Sequence, residues 1–191
     1  DFAEVVVRSF PMAKRTAKRL APGDLLLERS GGGPNTPVGR VVYFDREGDF
    51  SYSNFIQRLR ADTTKCLPQF LAYALHEMHR QGKTLLYQQR TSGLRNLNYS
   101  EYLDHPILLP PPAEQAKIAG VLGAVDDAVE KSRAVLAQTK SLRQALLHAL
   151  LTRGLPGQHT TFKTVRLGDL YAERSENGID GLPIMSVTAN G

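Results

Sequence analysis

The stretch AEQAKIAGVLGAVDDAVEKSRAVLAQTKSLRQALLHALLTR, residues 113–153, decides how the rest of the chain is organised. It has no proline, and its only glycines, Gly120 and Gly123, lie near its start. Ile118, Leu122, Val125, Val129, Ser132, Leu136 and Thr139 recur in alternating steps of four and three, a heptad seam with polar insertions. From Leu142 the apolar positions Leu146, Leu147, Leu150 and Leu151 widen into a broader face. Pro112 stands before the run, and Gly154 with Pro156 closes it, which is the usual punctuation of a helix. A helix from Ala113 to Leu151 is expected, about 58 Å long at 1.5 Å per residue. A small domain cannot cover such a rod, so a second long helix should lie along its seam. Glu114, Asp126, Asp127 and Glu130 fall in its first half, and Lys140, Arg143 and Arg153 in its second. A similar helix laid antiparallel would set acidic halves against basic ones; a solvated polar face is the plainer alternative.

Upstream, residues 1–112 are broken by turn residues and read as mixed α and β. Val5 to Val7 is a short β-branched run, and Pro22-Gly23-Asp24 turns the chain into a strand of Leu25, Leu26 and Leu27. Ser30 to Pro37 reads as a flexible loop and Val38 to Phe44 as a strand, with Phe50 to Leu59 as a third extended segment. Phe70, Leu71, Ala74, Leu75 and Met78 give Pro68 to Gln81 the spacing of an amphipathic helix. Asn98 to Leu109 returns to short extended pieces before Pro110-Pro111-Pro112. Downstream, Val165, Leu167 and Leu170 look like an entering strand with a turn at Gly168-Asp169, and Leu182 to Thr188 like a second strand. The expected fold class is therefore α+β. A mixed domain (1–112) precedes a long coiled-coil-forming helix (113–153), and 154–191 start a further domain. The chain opens on Asp1 and closes on Gly191 inside a strand-like run, so both ends are expected to be truncations.

Composition excludes some classes and permits others. No run of about 18 apolar residues exists, and no charged-then-apolar leader precedes the first element. The one cysteine, Cys66, cannot form an internal disulfide, which fits a small buried or half-buried thiol in a reducing cytoplasm. Net charge is +5; residues 1–112 hold 15 Lys and Arg against 11 Asp and Glu, while 154–191 hold 3 against 4. The basic excess permits an anionic partner without demanding one.

Catalytic motifs fail one by one. Gly82-Lys83-Thr84 lacks the glycine five positions earlier that a phosphate-binding loop needs, since Glu77 stands there, and Gly82 reads as a helix stop. His76 and His79 are three apart where a zinc-protease helix needs four, so both read as ordinary helix-surface residues. No lysine has an acidic residue two positions before it, as metal-dependent nucleases often do. Leu109-Pro110-Pro111-Pro112 lacks both the polar head and the aromatic of the amino-methyltransferase signature. No G-x-G-x-x-G precedes a helix either. The chain is expected to catalyse nothing itself.

Pro110-Pro111-Pro112-Ala113-Glu114-Gln115-Ala116-Lys117-Ile118-Ala119-Gly120-Val121-Leu122 resembles the proline–proline–Glu–Gln–Ile–Ala–Leu signature of DNA specificity subunits of type I restriction–modification systems. Ser141 to Gly154 is similar to that family's usual helix terminus, and Leu20-Ala21-Pro22-Gly23-Asp24-Leu25-Leu26 to its "x-Pro-Gly-Asp-Leu-Leu" strand. Gly39-Arg40 and Ser53-Asn54-Phe55 sit where a recognition domain would have them, and Val165 to Leu170 resembles the opening of the next one. The resemblance implies that 1–112 is the latter part of one target-recognition domain. It makes 113–153 the conserved spacer helix and 154–191 the start of a second recognition domain. It also implies that two such helices pair antiparallel as a ruler between domains that each read half of a split target in double-stranded DNA. Methyltransferase (M) and restriction (R) subunits would be the partners and would carry S-adenosylmethionine, ATP and Mg; this chain would hold no cofactor or metal.

Base reading needs donors and acceptors on loops, and phosphate contacts need Arg, Lys or backbone N–H. On that ground Arg29 and Asn35 flank one candidate loop, and Arg90, Ser92, Arg95 and Asn96 form a second. Ser53, Asn54 and Gln57 are a weaker third choice, and Arg40 accompanies Gly39. Lys14, Arg15, Lys18 and Arg19 are a basic run suited to tracking a phosphate backbone or to simple solvation. The expected subunit interface is Ile118, Leu122, Val125, Val129, Leu136, Leu146 and Leu150. Two alternatives stand beside this reading: a coiled-coil interaction module without DNA specificity, and a fragment of a fused restriction enzyme whose missing flanks hold the catalysis.

Overall fold

The computed structural model describes residues 16–33, 35–91, 94–158 and 161–172. The chain forms two compact units, Asp1–Lys131 and Ser132–Gly191.

In the first unit, strand β1 (Asp24–Glu28) is central in an antiparallel sheet with β3 (Val41–Tyr43) and β4 (Ile56–Arg60) as its neighbours. Leu25 and Leu27 are fully buried and Leu26 is half-buried, the two-residue alternation of a strand. The turn before β1 explains its Pro-Gly-Asp. Gly23 sits at φ 91°, a conformation that favours glycine, and its N–H donates to the Phe44 carbonyl at 2.8 Å. Asp24, 1% exposed, accepts the Ala21 N–H at 2.8 Å and a two-pronged contact from Arg60 Nε and Nη2 at 2.6 and 2.8 Å. Asp24 and Arg60 face each other in register, so one carboxylate closes the turn and clamps two strands. Burial opposes the Asp24 charge, but the Arg60 and Ala21 hydrogen bonds outweigh it and hold the carboxyl below its ordinary value.

Helix α1 (Pro68–Arg80) lays Phe70, Leu75 and Met78 inward, as the spacing predicts, and Gly82 leads into a 3-10 turn over Lys83–Tyr87. Leu75 and Met78 join Leu25, Leu27, Val38, Val41, Leu97 and Tyr102 in one core. The segment expected as a loop at 30–37 instead begins with strand β2 (Ser30–Gly32), which pairs with β6 (Leu94–Leu97), itself paired with β5 (Gln88–Thr91). The expected extended stretch after Asn98 contains a short helix, α2 (Tyr99–Leu103), which seats Tyr102 in the core.

The long helix, α3, runs Pro112–Arg153, 42 residues; at 1.5 Å per residue that is about 63 Å. It extends the expected span by a residue or two at each end and crosses the boundary between the units. In the second unit α3 is followed by Gly154, whose N–H donates to the Leu150 carbonyl at 3.1 Å. The strand expected near Val165 is not formed: Leu167–Leu170 is a single helical turn, α4. Arg166 precedes it in extended conformation, and the Asp169 N–H closes the turn on the Arg166 carbonyl. Val5 to Val7 and Leu182 to Thr188 lie outside the described residues. Among the described residues no helix is long and apolar enough to cross a membrane.

Candidate nucleic-acid interface

Two of the nominated segments meet in the β2–β6–β5 sheet. Ser30 pairs in register with Asn96, Gly32 with Arg95, and Arg90 with Arg95 across the β5–β6 hairpin. The Ser30 hydroxyl also hydrogen-bonds the Asn96 side-chain carbonyl. Gly32 is required by space: a Cβ there would lie 2.4 Å from the Thr36 carbonyl oxygen and 2.9 Å from a Val38 methyl. Arg29 is exposed, its guanidinium 5.8 Å from the centre of the Tyr99 ring. Arg95 and Asn96 are half-buried and Asn35 is exposed. Ser92 lies outside the described residues, as do Lys14 and Arg15.

The third segment joins the same surface through the backbone. The N–H groups of Arg29 and Ser30 both donate to the Phe55 carbonyl, at 2.8 and 3.2 Å. Next to Phe55, the exposed Asn54 side chain accepts a hydrogen bond from Lys18. The Lys18 ammonium lies 5.3 Å from the centre of the Tyr52 ring, and the Arg58 guanidinium 5.9 Å from it. Arg58 Nη1 donates to the Arg19 carbonyl at 2.5 Å. Among the described residues no carboxylate stands within ion-pair distance of Lys18, Arg19, Arg29 or Arg58. Cations interleaved with an aromatic ring and not locked in close ion pairs suit phosphate contact.

Arg40 is placed differently. Its guanidinium is engaged by both oxygens of Glu28 at 2.9 Å, and that hydrogen bond with its charge raises the Arg40 pKa. Gln57 is half-buried in β4, its amide directed at the Arg58 carbonyl at 3.4 Å, and Ser53 accepts the Phe55 N–H at 3.3 Å. His79 is half-buried with Nδ1 2.9 Å from the Thr84 hydroxyl. Burial leads the lowering of its pKa, helped by the Arg40 charge. Cys66 is half-buried too, and burial raises its pKa.

Along α3 the seam residues Leu122, Val125, Val129, Leu136, Leu146 and Leu150 are exposed, and Ile118 is half-buried. The face that α3 turns to its own domain is another one, which sequence reasoning missed. Gln115 is fully buried and Ala119 nearly so. Tyr73 of α1 donates from its hydroxyl to Asp126 at 2.7 Å. Burial, then that contact, pushes the Tyr73 pKa up to about 12. The signal was the repeat of Gln115, Ala119 and Gly123 at steps of four, polar or small residues that a search for apolar periodicity passes over.

Among the described residues no group of three or more His, Cys, Asp or Glu could hold a metal ion. Residues 10–138, about two-thirds of the chain, match the family model described as type I restriction modification DNA specificity domain. The chain is similar to a Methanocaldococcus jannaschii protein bearing the name type I restriction enzyme MjaX specificity subunit, 22% identical over 153 residues. That match takes in 80% of this chain and 35% of the relative, so the chain spans about a third of that protein's length. On the family match, the chain belongs to the type I restriction–modification DNA specificity domain family.

Proposed function

We propose that this chain is a non-catalytic DNA-reading module of a type I specificity subunit. It would direct methyltransferase and restriction subunits in the cytoplasm to a bipartite site in double-stranded DNA for adenine methylation. The observation that carries this reading is the convergence of the nominated segments. Asn96 meets Ser30, Ser30 and Arg29 meet Phe55, and Asn54 leads through Lys18 and Tyr52 to Arg58, all within the residues that match the family. The β2–β6 pair offers amide, hydroxyl and guanidinium groups to base edges, while Lys18, Arg19, Arg29 and Arg58 offer positive charge to phosphates. In this reading residues 1–112 belong to one recognition domain, 113–153 to the spacer helix and 154–191 to the start of a second domain. S-adenosylmethionine, ATP and Mg belong to the partner subunits.

The exposed seam of α3 fits an antiparallel helix of the full-length subunit, and it would equally serve an interaction module indifferent to DNA. Selection from a random duplex library by the full-length parent subunit separates the two. A split motif bound with a steep salt dependence supports DNA reading. Enrichment of no motif, with the protein folded and self-associating through the helices, supports the interaction module.

A further inference from the structure

Helix α1 begins without a cap of its own. Its N-cap residue is Leu67, which makes no side-chain hydrogen bond to the helix, and Pro68 follows it. The Leu67 N–H is instead taken by Gln115 Oε1 at 2.7 Å, from 48 residues away. That is the bond a Glu or Gln at the third helical position makes in a capping box, and Phe70 stands there. The same Gln115 side chain donates from Nε2 to the Pro110 carbonyl at 2.8 Å and to the Lys65 carbonyl at 3.2 Å. One fully buried amide therefore ties the entry to α1, the proline run and the first turn of α3.

Further along the same side of α3 the contact continues. A Cβ at Gly123 would lie 3.3 Å from Gln69 Nε2 and 3.7 Å from the Tyr73 hydroxyl, so the two side chains close over that glycine. Tyr73 then holds Asp126. These contacts, at Gln115, Gly123 and Asp126, spread over about three turns of α3 and so resist rocking of α1 on it. This side of the helix adjoins the exposed seam of Leu122, Val125 and Val129.

We propose that Gln115 is the positioning residue of this joint, and that the joint's stiffness holds the gap measured by the spacer helices to a single number of base pairs; the inference rests on the DNA-reading function above. The lever is short but sufficient. A domain of about 100 residues reaches roughly 20 Å from its joint, so a tilt of about 10° moves its far surface by ~3.5 Å. That displacement is about one base-pair step of roughly 3.4 Å. A loosened joint thus widens the set of gaps the subunit accepts without altering the groups that read bases.

The test is a genome-wide map of methylated bases from the full-length parent subunit with its methyltransferase, compared with Gln115→Met and Tyr73→Phe. Met keeps the length of the side chain and removes all three hydrogen bonds; Phe keeps the ring and removes the hydroxyl's bonds to Asp126 and Gln69. Both variants are expected to keep both half-site sequences while methylation appears at sites with a gap one base pair longer or shorter. Folded variants that keep the single wild-type gap, or that change a half-site sequence, overturn the proposal. Should Gln115→Met fail to accumulate, Tyr73→Phe decides by the same two outcomes. A wild-type map without a split motif would defeat the DNA-reading function itself, and the proposal with it.

Discussion

Replacing Asp24 by Asn keeps its shape and removes its charge, and the consequences follow from three short contacts. The carboxylate receives Arg60 at 2.6 and 2.8 Å and the Ala21 N–H at 2.8 Å in a setting that is 1% exposed. An amide has one acceptor oxygen, so either Ala21 or Arg60 then faces an NH2 group, donor against donor. Breaking a buried pair costs about 3–5 kcal/mol, but the Arg60 side chain is 56% exposed and can turn to water. A loss of about 2 kcal/mol is expected, lowering Tm by roughly 4–8 °C for a chain of this size. Arg60→Gln should cost more, because it leaves the buried carboxylate without its cation.

The acid limb fixes the sign. The folded pKa of Asp24 lies below its ordinary 3.8, so the stabilisation is fully present above that value and is lost as pH falls through the folded pKa. Thermal melts of wild type and Asp24→Asn should therefore differ by a constant amount from pH 5 to 8 and converge below about pH 4. Equal melting at pH 7, or a gap that persists undiminished in strong acid, would refute the reasoning.

Lys18→Ala and Arg58→Ala should each lower the slope of log K against log salt by about 1 and weaken all duplexes alike, measured by fluorescence anisotropy of the full-length subunit. Gly32→Ala forces backbone against the Thr36 carbonyl and should cost at least about 2 kcal/mol. Gly120→Ala, with nothing within 4 Å of its new methyl, should stabilise α3 by up to ~1 kcal/mol in the same melts. Val129→Asp with Leu136→Asp, on exposed seam positions, should shift this chain's stability by no more than about 0.5 kcal/mol each. In the full-length subunit the same pair should abolish helix pairing, seen as loss of co-purification with the methyltransferase.

What the sequence made legible was what repeats. The steps of four and three in 113–153 gave α3 to within a residue or two, the spacing of Phe70, Leu75 and Met78 gave α1, and Pro-Gly-Asp before three leucines gave β1. Sheet β2–β6–β5 left no such trace. Ser30-Gly31-Gly32 and Gln88-Gln89-Arg90-Thr91 have no apolar alternation, and the pairing of Ser30 with Asn96 joins residues 66 apart. The five residues of α2 and the four of α4 are too few to show a helical period. The candidate interface was legible as separate loops, because residue chemistry is local, but their meeting through the Phe55 carbonyl is a property of register. Gln115 was quoted for its place in the signature, whereas its role depends on backbone groups at 65, 67 and 110.

The central claim, that the β2–β6 surface reads half of a split target, is tested most directly by mapping methylated bases after Asn96→Ala in the full-length subunit co-expressed with its methyltransferase. The account predicts that one half of the motif changes or becomes degenerate while the other half and the gap are kept. An unaltered motif at wild-type methylation levels, with the variant folded and expressed, would contradict it.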